Sequence, residues 1–277
     1  MTEFEMIRQY FYRDTPARAE ILLGNGDDCA VLKSTQALAL SIDTLVLGTH
    51  FTEDMAPFDL GARALAVNLS DCAAMGAKPL AFLLALTLPV LEPAWLEAFS
   101  QGLFAEAAKF NLPLIGGNTT RGPLSITIQI VGEVTQPLKR SAAQVGDDIY
   151  VSGILGAAAL KIQPRVELGL ALTEIAHAAI DVSDGLIQDL QHILEASQCG
   201  AALVSAQIPC HDTLEQALYR GEDYELCFTA PQSMRSRIQT LAQALSLPLT
   251  RIGTITQQLD FLLDDQPVQI KGYQHFL

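Results

Sequence analysis

The chain has 277 residues, 49% of them hydrophobic, and 17 basic against 31 acidic side chains give it a net charge of −14. That size and apolar content support a large core and two domains, and the charge argues against nucleic acid or an anionic membrane as partner. No apolar run is long enough to span a bilayer, and the opening MTEFEMIRQYFYRD breaks its apolar residues with charges where a secretory signal would be continuous, so a soluble cytoplasmic protein is expected.

In chain order, residues 4–12 have the spacing of a short amphipathic helix, and an irregular stretch with Pro16 leads to Ile21-Leu22-Leu23. GNGDDCAVL, residues 24–32, reads as a tight turn entering a strand. The turn accounts for Gly24, Asn25 and Gly26, which tolerate positive φ, but not for the adjacent Asp27 and Asp28. Residues 38–47 alternate as a strand with Asp43 among apolar neighbours, a position that strand propensity disfavours, and a loop Gly48-Thr49-His50-Phe51 follows.

Residues 63–79 predict a helix of about four turns with Leu65, Leu69, Cys72 and Met75 on an apolar stripe, stopped at Gly76 with Pro79 beyond. Asp71 sits in its middle, while the nearby basic residues Arg63 and Lys78 lie at its ends. Burying a lone carboxylate there is costly without a positive partner, so either a metal ion faces Asp71, or Asp71 lies on the wet face or caps a neighbouring loop.

A strand over 81–88, a helix over 93–110 and a strand-like segment over 112–115 come next. The last runs into Gly116-Gly117-Asn118-Thr119-Thr120, which reads as a glycine-rich turn able to cradle a phosphate on its N–H groups. Residues 124–134 alternate as a strand, and a boundary at Gln136-Pro137 divides the chain into domains 1–137 and 138–277. Lys139 and Arg140 then form either a phosphate contact or a solvated surface pair.

In the second half, 147–152 reads as a strand and 153–156 as a turn into an Ala-rich helical stretch interrupted by Pro164. Helical spacing resumes over 166–178, and Ile180-Asp181-Val182-Ser183-Asp184-Gly185 introduces a further helix to about Ala196 with Ser183 or Asp184 as N-cap. Gly221-Glu222-Asp223-Tyr224-Glu225 opens onto Leu226-Cys227-Phe228, and a helix over 233–245, a strand over 250–255 and a short tail close the chain.

Carboxylates thus recur at strand ends or turns, at Asp27, Asp28, Asp43, Asp71, Asp181 and Asp184, where α/β folds place ligands. Clustered carboxylates repel one another until cations neutralise them, and such oxygen donors suit Mg²⁺ shared with substrate phosphates. With the glycine segment and Arg140 the pattern predicts phosphoryl transfer. There is no GxxxxGK[ST], protein-kinase, HExxH or GxSxG motif, and the five cysteines contain no CxxC pair and read as reduced thiols.

The ordered set Gly24–Asp28, Ser41-Ile42-Asp43-Thr44 with His50-Phe51, Asn68-Leu69-Ser70-Asp71, Gly116–Thr120, Asp181–Gly185 and Gly221–Glu225 resembles the bacterial thiamine-monophosphate kinases along nearly the whole chain. The resemblance implies an α/β fold with mixed sheets, shared with aminoimidazole ribonucleotide synthetase and selenophosphate synthetase: two domains, the N-terminal ones pairing their sheets in a homodimer. It implies Mg²⁺-dependent transfer of the ATP γ-phosphoryl to thiamine monophosphate. By position, Asp28, Ser41, Ile42, Asp43, Asp71, Asn118, Asp181 and Asp184 correspond to the metal site, and Gly117, Asn118, Arg140 and Ser183 to ATP contacts. His50, Glu222 and Tyr273 correspond to thiamine contacts, and Arg140, Asp43 and Asp71 carry the catalytic roles.

The chain departs from the family pattern at Asn118, where Gly-Gly-Asp-Thr has an aspartate, and at Ile42, usually Thr. It is also shorter between Gly156 and Pro164 and before Gly221. Three readings therefore stand at this point: an active kinase, a binding protein that holds nucleotide or thiamine phosphate without turnover, and an enzyme of the same fold with another phosphoryl acceptor.

Overall fold

The computed structural model describes residues 3–13, 18–25, 29–157 and 162–273. The chain divides into two compact units, one made of Met1–Cys72 and Lys78–Thr135, the other of Ala73–Ala77 and Gln136–Leu277.

The first unit holds α1 (Glu3–Phe11), β1 (Ile21–Leu23), β2 (Val31–Leu32), β3 (Ala37–Val46), α2 (Pro57–Ala74, its last two residues grouped with the second unit), β4 (Lys78–Leu88), α3 (Pro93–Lys109), β5 (Leu114–Arg121) and β6 (Ser125–Val134). β1 and β2 form a small antiparallel pair, and the four-stranded sheet runs β3-β6-β4-β5. Its β4–β5 pair is parallel, with α3 as crossover, and its other pairs are antiparallel.

The β3–β6 ladder keeps one register from Ala37↔Val134 to Val46↔Ser125, so strand alternation fixes the faces of β3. Ser41, Asp43 and the buried Leu45 share one face, while Leu40 and Ile42, each 62% exposed, share the other. Helix α2 begins six residues earlier than the spacing around Asp71 suggested, because Pro57 suits a first helical position. Its Leu65, Leu69 and Cys72 are buried as expected, but Met75 lies beyond the helix and is exposed. Helices α2 and α3 touch backbone to backbone: a Cβ on Gly61 would stand 2.1 Å from Phe99 O, and one on Gly102 1.8 Å from Phe58 O.

The segment Gly116–Thr120 is not a turn. It lies inside β5, with Gly117 opposite Leu84 and Asn118 opposite Ala85. The glycines serve close strand approach, since a Cβ on Gly117 would fall 1.9 Å from Leu84 O.

The second unit holds β7 (Asp148–Ser152), α4 (Val166–Leu172), β8 (Ala178–Asp181), α5 (Leu186–Ser197), β9 (Gly200–Leu203), α6 (Leu214–Tyr219), β10 (Leu226–Ala230), α7 (Arg235–Leu245), β11 (Leu249–Thr256), β12 (Phe261–Leu263) and β13 (Gln266–Pro267). They build a seven-stranded sheet, β13-β12-β9-β11-β7-β10-β8, antiparallel except for β12–β9. Helix α5 buries Leu186, Ile187, Leu190, Ile193 and Leu194 in a core shared with Ile149, Val151 and Ile180 of the sheet.

Helical spacing over 166–178 holds only to Leu172. Ala178-Ala179-Ile180 pairs with β10, sheet pairing and burial overriding the helix preference of alanine. The Ala-rich stretch expected after Gly156 includes residues 158–161, which lie outside the described residues, as do Gly26, Asp27 and Asp28. Among the described residues no helix is long and apolar enough to cross a membrane.

Candidate active site

In the first unit, Ser41 of β3 donates its hydroxyl to Asp71 Oδ2 of α2, and Asp43 lies two residues along the same face of β3. Burial first, and the Asp71 charge second, push the Asp43 carboxyl up to about 6 from its ordinary 3.8. The same two causes push the Cys72 thiol up to about 12. Two half-buried carboxylates with a hydroxyl beside them are an oxygen donor set suited to a hard divalent cation.

The shift has a consequence for stability. The folded chain holds the Asp43 proton more tightly than the unfolded chain, so between about pH 4 and pH 6 the unfolded form has lost a proton that the folded form keeps. The stability of metal-free protein should therefore fall as pH rises through that window, by about 3 kcal/mol in all, and level off above it. Urea midpoints of chelator-treated protein check this: Asp43→Asn should flatten the profile, and a variant profile as steep as wild type would contradict it.

Rows across the sheet place the other first-unit residues. Asp43, Ile128, Leu84 and Gly117 are successive partners and share a face, with Asp43 and Gly117 three strands apart, about 14 Å. Thr44, Thr127, Ala85 and Asn118 form the next row on the opposite face, where Asn118 and Ile42 line a cavity of about 950 Å³ together with Ile7, Phe11, Asn25 and Gly117. The side chains of Ile42 and Asn118 thus point away from the Ser41–Asp43–Asp71 cluster, and Ile42 has only its backbone carbonyl to offer a cation. His50 Nδ1 accepts the Val46 N–H at 3.0 Å, which places the imidazole proton on Nε2.

In the second unit, Asp181 ends β8 and the loop 182–185 leads into α5. Neither Ser183 nor Asp184 caps that helix; the N-cap is Gly185, at φ 120, without a side-chain cap bond. Instead Asp189, 2% exposed inside the helix, accepts the N–H groups of Asp184 at 3.0 Å and Gly185 at 3.1 Å. Burial is the larger influence on its carboxyl and pushes it up to about 7, against the opposing effect of those N–H bonds.

Onto this loop folds the segment 221–225. Glu222 N donates to Ser183 O at 2.7 Å, Tyr224 N to Val182 O at 2.8 Å, and Val182 N to Glu225 O at 2.8 Å. Glu222 and Tyr224 hold left-handed φ values of 61° and 52°, each costing about 1–3 kcal/mol for a residue with a Cβ. Tyr273 N donates to Asp184 O at 3.2 Å, and Gln188 Nε2 donates to both Asp184 Oδ2 and Tyr273 O. Asp181, Ser183, Asp184, Glu222 and Tyr273 are therefore drawn together by this one loop.

Arg140 is not beside it within the second unit. Its carbonyl accepts Ser197 Oγ at 2.7 Å at the far end of α5, a helix about 18 Å long. Sequence reasoning missed Asp189, whose only signal was an acid in the first helical turn.

Two mixed sheets joined in this order, each with carboxylates at its margin, define a class. Residues 26–134 match the N-terminal domain of the AIR synthase related proteins and residues 152–263 match the C-terminal domain, so the chain has the two-domain α/β fold of that class. Thiamine-monophosphate kinase of Escherichia coli (strain K12) is 44% identical over 318 aligned positions, covering 99% of this chain and 98% of that protein. The crystal structure of thiamine-monophosphate kinase from Stenotrophomonas maltophilia K279a superposes with a TM-score of 0.87 at 42% identity, covering 91% of this chain and 93% of that one. AaThiL, solved in complex with AMPPCP and TMP, has a TM-score of 0.81 at 27% identity over 89% of both chains. The chain belongs to the thiamine-monophosphate kinase family. An alignment of 318 positions against 277 residues also means that the relative carries segments this chain lacks.

Proposed function

We propose that this chain transfers the γ-phosphoryl group of ATP to the phosphate of thiamine monophosphate in a Mg²⁺-dependent reaction, giving thiamine diphosphate and ADP. The observation that carries this reading is the Ser41–Asp43–Asp71 cluster, whose raised Asp43 carboxyl marks a site that a cation would stabilise. Family membership supplies the acceptor, and AaThiL with its bound AMPPCP and TMP supports the pair of ligands.

An acceptor phosphate oxygen attacks Pγ in line while the bond from Pγ to the β,γ-bridging oxygen breaks and ADP leaves. A phosphate monoester already carries close to two negative charges at neutral pH, so the attacking oxygen needs no general base, and the barrier is repulsion between two anions. Bound Mg²⁺ supplies the positive charge that offsets this repulsion. Asp43 and Asp71, with Ser41 fixing the Asp71 carboxylate, would hold one such ion, and by the family resemblance Asp28, the Ile42 carbonyl, Asn118, Asp181 and Asp184 would serve others. Gly117, Asn118, Arg140 and Ser183 would contact ATP, with Arg140 countering the charge of the transferred group, and His50, Glu222 and Tyr273 would seat the thiamine moiety.

The exposed Leu38, Leu40 and Ile42 of β3 fit a sheet face covered by a second copy, and we include in this reading a homodimer through domain 1–137. Five free cysteines suit a reducing compartment such as the cytoplasm. Purified protein given ATP and thiamine monophosphate should form thiamine diphosphate, detected by chromatography, only with added Mg²⁺; no product at saturating Mg²⁺ overturns the reading. Asn118→Asp, which restores one negative charge, should lower the half-saturating Mg²⁺ concentration about fivefold. An unchanged Mg²⁺ curve would remove Asn118 from the metal site.

A further inference from the structure

Among the ion pairs of the second unit that the roles above leave unused, one is largely shielded from water on both sides. Arg165, just before α4, sends its guanidinium to Glu225, just before β10, as a two-pronged fork: Nε to Oε2 at 2.7 Å and Nη2 to Oε1 at 2.5 Å. Ser152 Oγ donates to the same Oε2 at 2.5 Å and accepts the N–H of Leu226 at 2.9 Å. Gly153, at φ +60, leaves room for the carboxylate, since a Cβ there would stand 2.1 Å from Glu225 Oε1. A cation at a helix N-terminus opposes the helix dipole, so α4 gains nothing from an arginine at this position. The fork serves Glu225.

From Glu225 the chain runs back through the left-handed Tyr224 and Glu222, conformations that residues with a Cβ keep only where the surroundings over-determine them. Two backbone bonds with Val182, from Tyr224 N and to Glu225 O, are joined by three further attachments. The fork holds the segment at Glu225, Asp223 Oδ2 accepts Gly156 N at 2.8 Å in the middle, and Glu222 N meets Ser183 O at the start. The fork is the strongest, being charged, bidentate and largely shielded from water.

We propose that Arg165, acting through Glu225, is a positioning residue for the acceptor: the fork fixes the turn 221–225 that sets Glu222 beside Ser183. The proposal rests on the reading of Glu222 as a thiamine contact. It predicts an effect confined to one substrate, because the loop 182–185 keeps its own anchor in Asp189.

The test uses the full chain. Arg165→Lys keeps the charge and stem but has no fork, and Glu225→Gln keeps the shape of the carboxylate without its charge. Either variant should raise KM and the calorimetric Kd for thiamine monophosphate about tenfold while KM for ATP stays within about twofold. An unchanged KM for thiamine monophosphate, or a proportional rise in both KM values with a lowered thermal midpoint, would mark the pair as structural and overturn the proposal while leaving the kinase reading intact. Wild-type protein that neither turns over nor binds thiamine monophosphate overturns both.

Discussion

Asp71→Asn will lower kcat about 10³-fold, the loss expected when several kcal/mol of metal-held charge stabilisation is removed from a phosphoryl transfer. The same substitution should leave the thermal midpoint of metal-free protein unchanged or slightly raised. Asparagine still accepts the Ser41 hydroxyl, and removing the Asp71 charge relieves Asp43, whose carboxyl that charge helps push upward. Activity and stability are thus expected to move in different directions. A variant that keeps its turnover, or that loses turnover and stability together, would show that Asp71 is an ordinary structural residue.

Gly117→Ala will destabilise the first unit by at least about 3 kcal/mol, on the order of 10 °C in thermal midpoint. The added Cβ would lie 1.9 Å from Leu84 O and 2.8 Å from Leu84 C, both backbone atoms that cannot turn aside, so β5 must pull away from β4 and carry Asn118 with it. Gly116→Ala is the internal control. Its Cβ would stand 3.5 Å from a Leu83 side-chain methyl, an ordinary contact, and it should cost less than about 1 kcal/mol. Equal effects at the two positions would contradict the account of Gly117.

The contrast between these glycines shows where the sequence was legible. Period-two alternation marked a strand carrying Asp43 and helical spacing marked a helix carrying Asp71, because both patterns are local, whereas the meeting of Ser41 with Asp71 is not. Gly116-Gly117 read as a turn because glycine favours bends, and only the approach of the Leu84 carbonyl from a strand distant in sequence reveals its service in a strand. Ala178 read as the end of a helix, and pairing with Thr229 makes it strand.

Capping arguments look to the residue before a helix, so they pointed to Ser183 or Asp184 and passed over Asp189, which reaches back from inside the helix to hold both N–H groups of that loop. Arg165 and Glu225 are 60 positions apart, and no local pattern announces a pair at that distance. What the chain order of motifs conveyed was the family. What it could not convey was the face on which Asn118 and Ile42 point, which follows only from the register of four strands.

The most direct measurement supplies ATP radiolabelled at its γ-phosphate together with thiamine monophosphate and Mg²⁺, and follows the label. The account predicts label in the terminal phosphate of thiamine diphosphate, with ADP formed in equal amount and none without Mg²⁺. Label released as inorganic phosphate, or retained in ATP at saturating Mg²⁺ and thiamine monophosphate, would contradict it.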